Sequence, residues 1–300
     1  MTFLITGAGG FVARHLVTEL QSHGHSVVTT DILSTCDLPN YHAADLCDLD
    51  QMIQIVKDAK PDACIHLGGV SFVPDGDRNP GRLLAINIGG TVNLLKAFHQ
   101  EAPEARILFV STAQTYGCSS KKEPLLVTEA SPTYPLSMYM ISKTAGEQVV
   151  SAYGAYYGMD VLIARPANHT GPGQTARFIV PSLVEQAQKI RAGEIDHFTA
   201  GNIESGRDFT DVRDVVSAYR LIAEKGRKGA VYNVSAGQHL TIRELLDLIQ
   251  RIAGISAPVA INPEFVRPTD FSRILDTTSL RYGLGWKPRF TLEQTIRDMM

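Results

Sequence analysis

The chain has 300 residues, 44% hydrophobic and 20% charged, with a net charge of -3 and a pI near 6.3. This composition predicts a globular protein large enough for one big domain, or one plus a smaller partner, and excludes the strongly basic face of a nucleic-acid binder. No apolar run approaches the ~20 residues of a membrane span, and the strand pattern begins directly after Met1, so no membrane association and a cytoplasmic location are expected.

Residues 2–6 (TFLIT) predict a short buried strand, and Gly7-Ala8-Gly9-Gly10-Phe11-Val12-Ala13 follows at once, before an amphipathic helix from Arg14 to His23. Glycines at such a strand-to-helix turn bring the backbone close to a pyrophosphate, whose charge then sits at the positive helix end. Glycines also serve ordinary turns. Here the context favours a dinucleotide site, because a second strand, Ser26 to Thr30, ends in Asp31 at the distance where an acidic side chain meets ribose hydroxyls. Asp31 favours NAD(H) over NADP(H), since its carboxylate repels a 2′-phosphate; a nearby basic residue would leave NADP(H) open.

Asp45-Leu46 precede a helix from Asp48 to Lys60, and two roles fit Asp45, a helix cap or a contact to adenine. Residues 62–67 (DACIHL) predict the third strand, in which His66 reads as packed rather than catalytic. Leu67, Gly68 and Gly69 close it, with small residues leaving room for a flat cofactor. Pro80 to Gln100 predicts one long helix in which Asn87 makes a structural hydrogen bond. Residues 106–110 (RILFV) form the fourth strand and deliver Thr112 and Gln114 to the same sheet edge, where ligands bind in open parallel sheets. Thr112 suits either a substrate oxygen or a local turn.

After a loop from Lys121 to Tyr134, Pro135 reads as the first turn of a helix carrying Tyr139 and Lys143. Four residues apart, a phenol and an amine share one helical face, and a nearby ammonium favours the phenolate, so the phenol can exchange a proton with a carbonyl or alcohol oxygen. The pair alone would suit a surface helix; the glycine turn and the strand end at Thr112 give it chemical company.

The fifth strand, Val161 to Ala164, runs into Arg165-Pro166-Ala167-Asn168, and beyond it the βαβ alternation loosens. Helices are expected over 179–192, 211–225 and 241–253, the last capped by Thr241, and a strand over 230–234. The predicted fold is α/β, a Rossmann-type doubly wound parallel sheet over 1–170 with a smaller C-terminal α/β substrate-binding part over 171–300, some of whose segments return to the first sheet. Cys36, Cys47, Cys64 and Cys118 fall at no metal-ligand or CxxC spacing and the nine histidines show no paired spacing, so free thiols and no metal are expected.

Taken together, these residues resemble the extended short-chain dehydrogenase/reductases that act on nucleotide-diphospho-sugars. The resemblance covers essentially the whole chain. It is carried in order by Thr6 to Val12 (with Ala13 for a final glycine), Asp45-Leu46, His66 to Gly69, Asn87 to Thr91, Tyr139 to Lys143, Arg165 to Asn168, Arg207 to Phe209, Asp211 to Asp214 and Leu284 to Pro288. Residues 168–174 (NHTGPGQ) with 177–180 (RFIV) most resemble the GDP-6-deoxy-4-keto-D-mannose reductases, which make GDP-D-rhamnose.

What the resemblance implies is reduction of a 4-keto sugar by hydride from a nicotinamide, with Tyr139 supplying the proton, Thr112 holding the oxygen, and Lys143 gripping the ribose and tuning Tyr139. Gly7, Gly9, Gly10, Phe11, Val12, Asp31, Asp45, Leu46, Leu67, Gly68 and Gly69, together with Tyr139 and Lys143, would hold the cofactor. Gln114, Asn168, Arg177, Val180, Arg207, Arg267 and Asp270 would hold the sugar nucleotide, a GDP-sugar being favoured. For Arg207 and Arg267, an ion pair with Asp208 or Asp270 is the competing role. Gln114 disfavours a 4,6-dehydratase, which places an acid there, because an amide neither gives nor takes a proton at neutral pH. A 4-epimerase retaining NAD and a non-catalytic nucleotide sensor are the other readings. A homodimer pairing the 80–100 and 135–157 helices is also expected.

Overall fold

Short apolar runs, buried on both faces, build the central layer. The computed structural model describes residues 1–117, 125–266 and 273–300. In chain order the first part comprises β1 (Thr2–Thr6), α1 (Phe11–Ser22), β2 (Ser26–Asp31), β3 (Tyr41–Ala43), α2 (Leu49–Ala59), β4 (Ala63–His66), α3 (Val73–Arg78), α4 (Pro80–Leu84), α5 (Thr91–Glu101) and β5 (Arg106–Val110). Next come β6 (Leu125–Val127), α6 (Met138–Tyr157), β7 (Asp160–Pro166), β8 (Asn168–Thr170), α7 (Ile179–Arg191), β9 (Phe198–Ala200), β10 (Gly206–Asp211), α8 (Val212–Lys225) and β11 (Val231–Val234). The chain closes with β12 (His239–Thr241), α9 (Ile242–Ala253), β13 (Val259–Ile261), β14 (Arg273–Leu275), α10 (Thr278–Leu284) and α11 (Leu292–Met299).

Seven strands form one sheet in the order β11-β7-β5-β4-β1-β2-β3, with every neighbouring pair parallel. This is a Rossmann-type doubly wound α/β fold. From β1 the chain winds outward to β2 and β3, then crosses back to β4 and winds the other way, so the order reverses between β1 and β4. A crevice opens at the carboxyl ends of the strands at such a reversal. Registers such as Phe3↔Ala63 and Val110↔Ala164 bring Thr6, His66, Val110 and Pro166 to one edge.

Two cores cover the sheet. On one face α1 and α8 bury Leu16, Leu20, Val215 and Ile222 against Phe3, Ile5 and Leu108; on the other, α2, α5 and α6 bury Ile55, Phe98 and Val150 against Leu4 and Ile107. Beyond residue 170 a third core gathers Leu183, Phe198, Leu245 and Ile296 from α7, β9, α9 and α11. Yet α8 and β11 also lie beyond residue 170, and they pack on and extend the main sheet.

Asp211 to Asp214 and the Trp286 segment lock to each other. Trp286 Nε1 donates to the Asp214 carbonyl at 3.1 Å and Ser217 Oγ at 3.0 Å, while the buried Asp214 carboxylate accepts from the backbone N–H of Arg289 at 2.9 Å and of Phe290 at 3.0 Å. Both motifs therefore serve the fold.

Several boundaries differ from the sequence reading. The first helix begins at Phe11, immediately after the glycine turn, rather than at Arg14. Pro135 lies before α6, whose cap is Ser137: its hydroxyl accepts from Met140 N at 3.2 Å. The 80–100 helix is interrupted by a π-helical turn at Ala85–Gly90, where Asn87 Oδ1 accepts from Val70 N at 2.8 Å and its amide donates to Ser142 Oγ at 2.9 Å. Part of the segment read as loop is strand β6, paired in parallel with β14. Thr241 caps α9 in a capping box with Glu244, which satisfies two backbone donors reciprocally.

Candidate active site

A cavity of 1220 Å³ runs along the carboxyl edge of the sheet and on between the sheet and the third core. It exceeds the roughly 300–1,000 Å³ usual for the pocket of one drug-sized ligand. Its floor begins at the glycine turn. Gly7 has φ +77°, and a Cβ there would stand 2.8 Å from Gly68 N and 2.9 Å from the Leu67 carbonyl carbon, so only glycine fits where the two strand ends meet. The N-terminus of α1 carries neither a capping side chain nor an acidic residue in its first turn, which leaves its backbone donors and positive end for an anion. Gly9, Gly10, Phe11 and Val12 border the cavity at this point.

At the tip of β2, Asp31 Oδ2 accepts from Gly9 N at 3.0 Å and Oδ1 from Leu33 N at 3.4 Å. The carboxylate thus sits on the glycine turn, at the cavity wall. Asp45 is not the cap of α2: Asp48 accepts from Gln51 N at 3.1 Å, whereas Asp45 accepts from Cys47 N at 2.8 Å and lines the cavity with Leu46. Leu67, Gly68 and Gly69 complete the wall from β4. The hydroxyls of Thr30 and Tyr219, buried and bordering the same space, have no protein partner. A glycine cradle, an uncapped helix end and unpaired buried hydroxyls fit a dinucleotide.

Strand β5 and helix α6 bring Thr112, Tyr139 and Lys143 to one region of this cavity. Thr112 caps a short 3-10 turn, its hydroxyl accepting from Gln114 N at 3.2 Å, and stands close enough to the Tyr139 phenol to favour its ionised form. It therefore fills the turn role read from the sequence. Burial pushes Tyr139 up to about 12 against the opposing effect of Thr112. Lys143 is pulled down to about 8 by burial, while the Glu147 carboxylate acts to raise it. Its ammonium donates to the Val110 carbonyl at 2.8 Å and lies 5.0 Å from the centre of the Phe109 ring.

His66 is packed between Thr6 and Thr91, at 2.6 and 3.1 Å, and burial with the adjacent Lys143 charge holds its pKa at about 3. A neutral imidazole so enclosed has no open side toward the cavity.

The far wall comes from the C-terminal part. Gln114, Asn168 and Arg207 border the cavity, as does Val180, which is otherwise buried in the third core. Arg177 reaches across the mouth: its guanidinium lies 4.0 Å from the Phe72 ring centre and donates to Asp75 at 2.7 Å. Beside it Phe178 meets Phe72 edge to face at 5.8 Å. Asp208 is buried, and its carboxylate accepts from the Ser235 hydroxyl. Arg267 and Asp270 lie outside the described residues, as does Cys118; Cys36, Cys47 and Cys64 are free thiols.

Comparison with known proteins follows the same lines. The model of the GDP-mannose 4,6 dehydratase family matches residues 4–299. This chain belongs to that family. GDP-6-deoxy-D-mannose reductase of Pseudomonas aeruginosa is 35% identical over 99% of this chain and 95% of its own length. The structure of RMD from P. aeruginosa complexed with NADPH superposes with a TM-score of 0.86 at 33% identity, covering 99% of this chain and 97% of that one. A UDP-glucose 4-epimerase from Thermotoga maritima, solved with UDP-glucose, superposes with a TM-score of 0.88 at 28% identity over 100% of this chain and 97% of that one. The family member described here is thus an extended short-chain dehydrogenase/reductase, an NAD(P)-dependent enzyme of nucleotide-sugar metabolism.

Sequence reasoning left out Phe72, Asp75, Glu147 and Tyr219. For Glu147 a signal existed, since it stands four residues beyond Lys143 on the same helical face. For the others none did, because their roles depend on contacts between distant segments.

Proposed function

We propose that the enzyme reduces an NDP-4-keto-6-deoxyhexose, with GDP-4-dehydro-6-deoxy-D-mannose giving GDP-D-rhamnose as the leading case. The observation that carries this is the convergence of Thr112, Tyr139 and Lys143 beside the glycine cradle, with an amide, Gln114, where a dehydratase needs an acid. When bound, the reduced nicotinamide supplies a hydride to carbon four. Tyr139 gives its phenolic proton to the developing oxyanion, and the Thr112 hydroxyl orients that oxygen. The Lys143 ammonium lowers the cost of the tyrosinate left behind and offers donors to the nicotinamide ribose. Asn168, Arg177, Val180, Arg207, Arg267 and Asp270 are assigned to the sugar nucleotide, its phosphates falling to the guanidinium groups. Asp31 makes NAD(H) the preferred cofactor.

Mixing the protein with the keto-sugar nucleotide and reduced cofactor should remove nicotinamide absorbance in step with substrate. Unchanged absorbance in a complete mixture would rule this reading out. The likeness to UDP-glucose 4-epimerase supports a second reading, epimerisation with retained NAD. Heat-releasing the cofactor from freshly purified protein separates the two, because one tightly held, non-exchanging NAD per chain belongs to an epimerase. The proposal includes a homodimer formed through α5 and α6, on whose outer side Tyr153, Tyr156 and Tyr157 cluster with ring centres 5.0 Å apart and His99 4.7 Å from Tyr157. A monomer by light scattering would refute that part.

A further inference from the structure

A second charged group lies behind the ammonium, and the chemistry above makes no use of it. Tyr139, Lys143 and Glu147 follow one another at four-residue spacing on α6 and so share a face. Glu147 is 1% exposed. Its Oε1 accepts from Arg165 Nε at 3.0 Å and from the Ser111 hydroxyl at 2.5 Å, and its Oε2 accepts from Arg165 Nη2 at 2.6 Å. Arg165 in turn lies 4.8 Å from the centre of the Tyr116 ring. Ser111 immediately precedes Thr112, and Arg165 is the penultimate residue of β7, the strand that leads to Asn168. One carboxylate therefore ties α6 to the two strand ends that bring the other site groups to the cavity.

A buried ion pair of this kind is a poor device for stability alone, because desolvating both charges offsets most of their attraction and apolar replacements commonly serve as well. A function for the charge accounts for it better. We propose that Glu147 is a positioning residue: its carboxylate, clamped by Arg165 and Ser111, presents the negative end of the ion pair to Lys143, keeps that ammonium charged in a water-poor site, and fixes the Thr112 strand end against α6. The proposal rests on the reading that Lys143 serves Tyr139.

The surroundings of Lys143 agree with it. On its own helix it faces Tyr139, a neutral phenol, and Glu147. From β4 it faces His66, held neutral, and from β5 the Phe109 ring and the Val110 carbonyl. Arg165 on β7 reaches it through Glu147. Among these groups Glu147 is the one whose charge favours the ammonium.

The test reads Lys143 directly. In protein labelled with 13C-lysine, the Lys143 side-chain resonance, assigned with Lys143→Arg, is titrated in the wild type and in Glu147→Gln. The proposal expects the midpoint to fall by at least about one unit, a tenfold loss of the charged form above it, and the alkaline limb of the turnover profile to fall with it. Glu147→Asp should recover part of the shift. Should Glu147→Gln fail to fold, the double variant Glu147→Gln with Arg165→Gln, which removes both buried charges, is titrated instead; because losing the Arg165 cation acts in the opposite sense, the midpoint is expected to fall by a smaller amount. An unchanged midpoint in whichever variant folds overturns the proposal. Because the titration needs no substrate, it stands or falls separately from the ketoreductase reading: a lowered midpoint without keto-sugar turnover would retire that reading alone.

Discussion

Lys143 Nζ donates to the carbonyl oxygen of Val110 at 2.8 Å, so the amine of α6 is tied to the last residue of the strand that delivers Thr112. The helix bearing the phenol and the strand bearing the small hydroxyl are thereby held at one separation before any ligand arrives. Preorganisation of this kind matters because groups already in place need not be rearranged at the moment of reaction.

Replacing Tyr139 with Phe removes the proton donor and leaves the ring's packing intact. Turnover of the keto-sugar nucleotide should drop by ~10²–10⁴-fold, the usual worth of a positioned acid, while cofactor affinity measured by calorimetry changes little. Undiminished turnover would take this residue out of the mechanism.

The rate should depend on pH through Lys143. Its pKa, lowered by burial to about 8, means that the ammonium is present below that pH and lost as pH rises through it, whereas Tyr139, raised to about 12, keeps its proton throughout. Turnover is therefore expected to hold level below pH 8 and to decline above it. The same shift makes charged Lys143 a burden on the fold below pH 8, so its contribution to stability improves between its folded value and the usual lysine value of 10.5. In Lys143→Met the alkaline decline should vanish along with most of the activity, which a rate profile from pH 6 to pH 10 reads out.

Asp31→Ser tests cofactor choice. Removing the carboxylate takes away the repulsion of a 2′-phosphate and one ribose contact, so the ratio of NADH to NADPH affinity should shift toward NADPH by about tenfold, the equivalent of ~1.4 kcal/mol. Competitive titration of both cofactors against the variant gives the ratio; an unmoved ratio would mean that specificity is set elsewhere.

Asp214→Ala leaves the backbone donors of Arg289 and Phe290, and the turn they anchor, without an acceptor. Stability should fall by ~2–4 kcal/mol, from buried donors left unpaired. Urea unfolding followed by the fluorescence of Trp286 suits the measurement, since that indole donates to the Asp214 carbonyl. A loss below half a kcal/mol would show the carboxylate to be dispensable.

Much of the nucleotide half was readable because its signals are local. Period-two and period-3.6 patterns, the glycine turn at Gly7 and the four-residue step from Tyr139 to Lys143 each lie within a few residues of one another. What escaped depends on contact between remote segments. The three-residue strands β6 and β14 have no alternation long enough to detect, and they exist because they pair with each other. The π turn at Asn87 answers to Val70 and Ser142, neither of them a sequence neighbour. The Arg177 contact with Asp75 joins residues 102 positions apart, so the resemblance that made Arg177 a sugar-nucleotide contact said nothing of this partner.

The placement of α8 and β11 bears on how such an enzyme can diversify. They come from the stretch that also builds the third core, yet one shields the underside of the main sheet and the other closes its outer margin against β7. A crossover that exchanged everything after residue 170 for a relative's sequence would import a new sugar pocket and, inseparably, a new underside for the dinucleotide platform. Inheritance of substrate range in this lineage is thus expected to proceed through scattered replacements along the cleft, with wholesale grafting penalised by mismatched packing beneath the sheet.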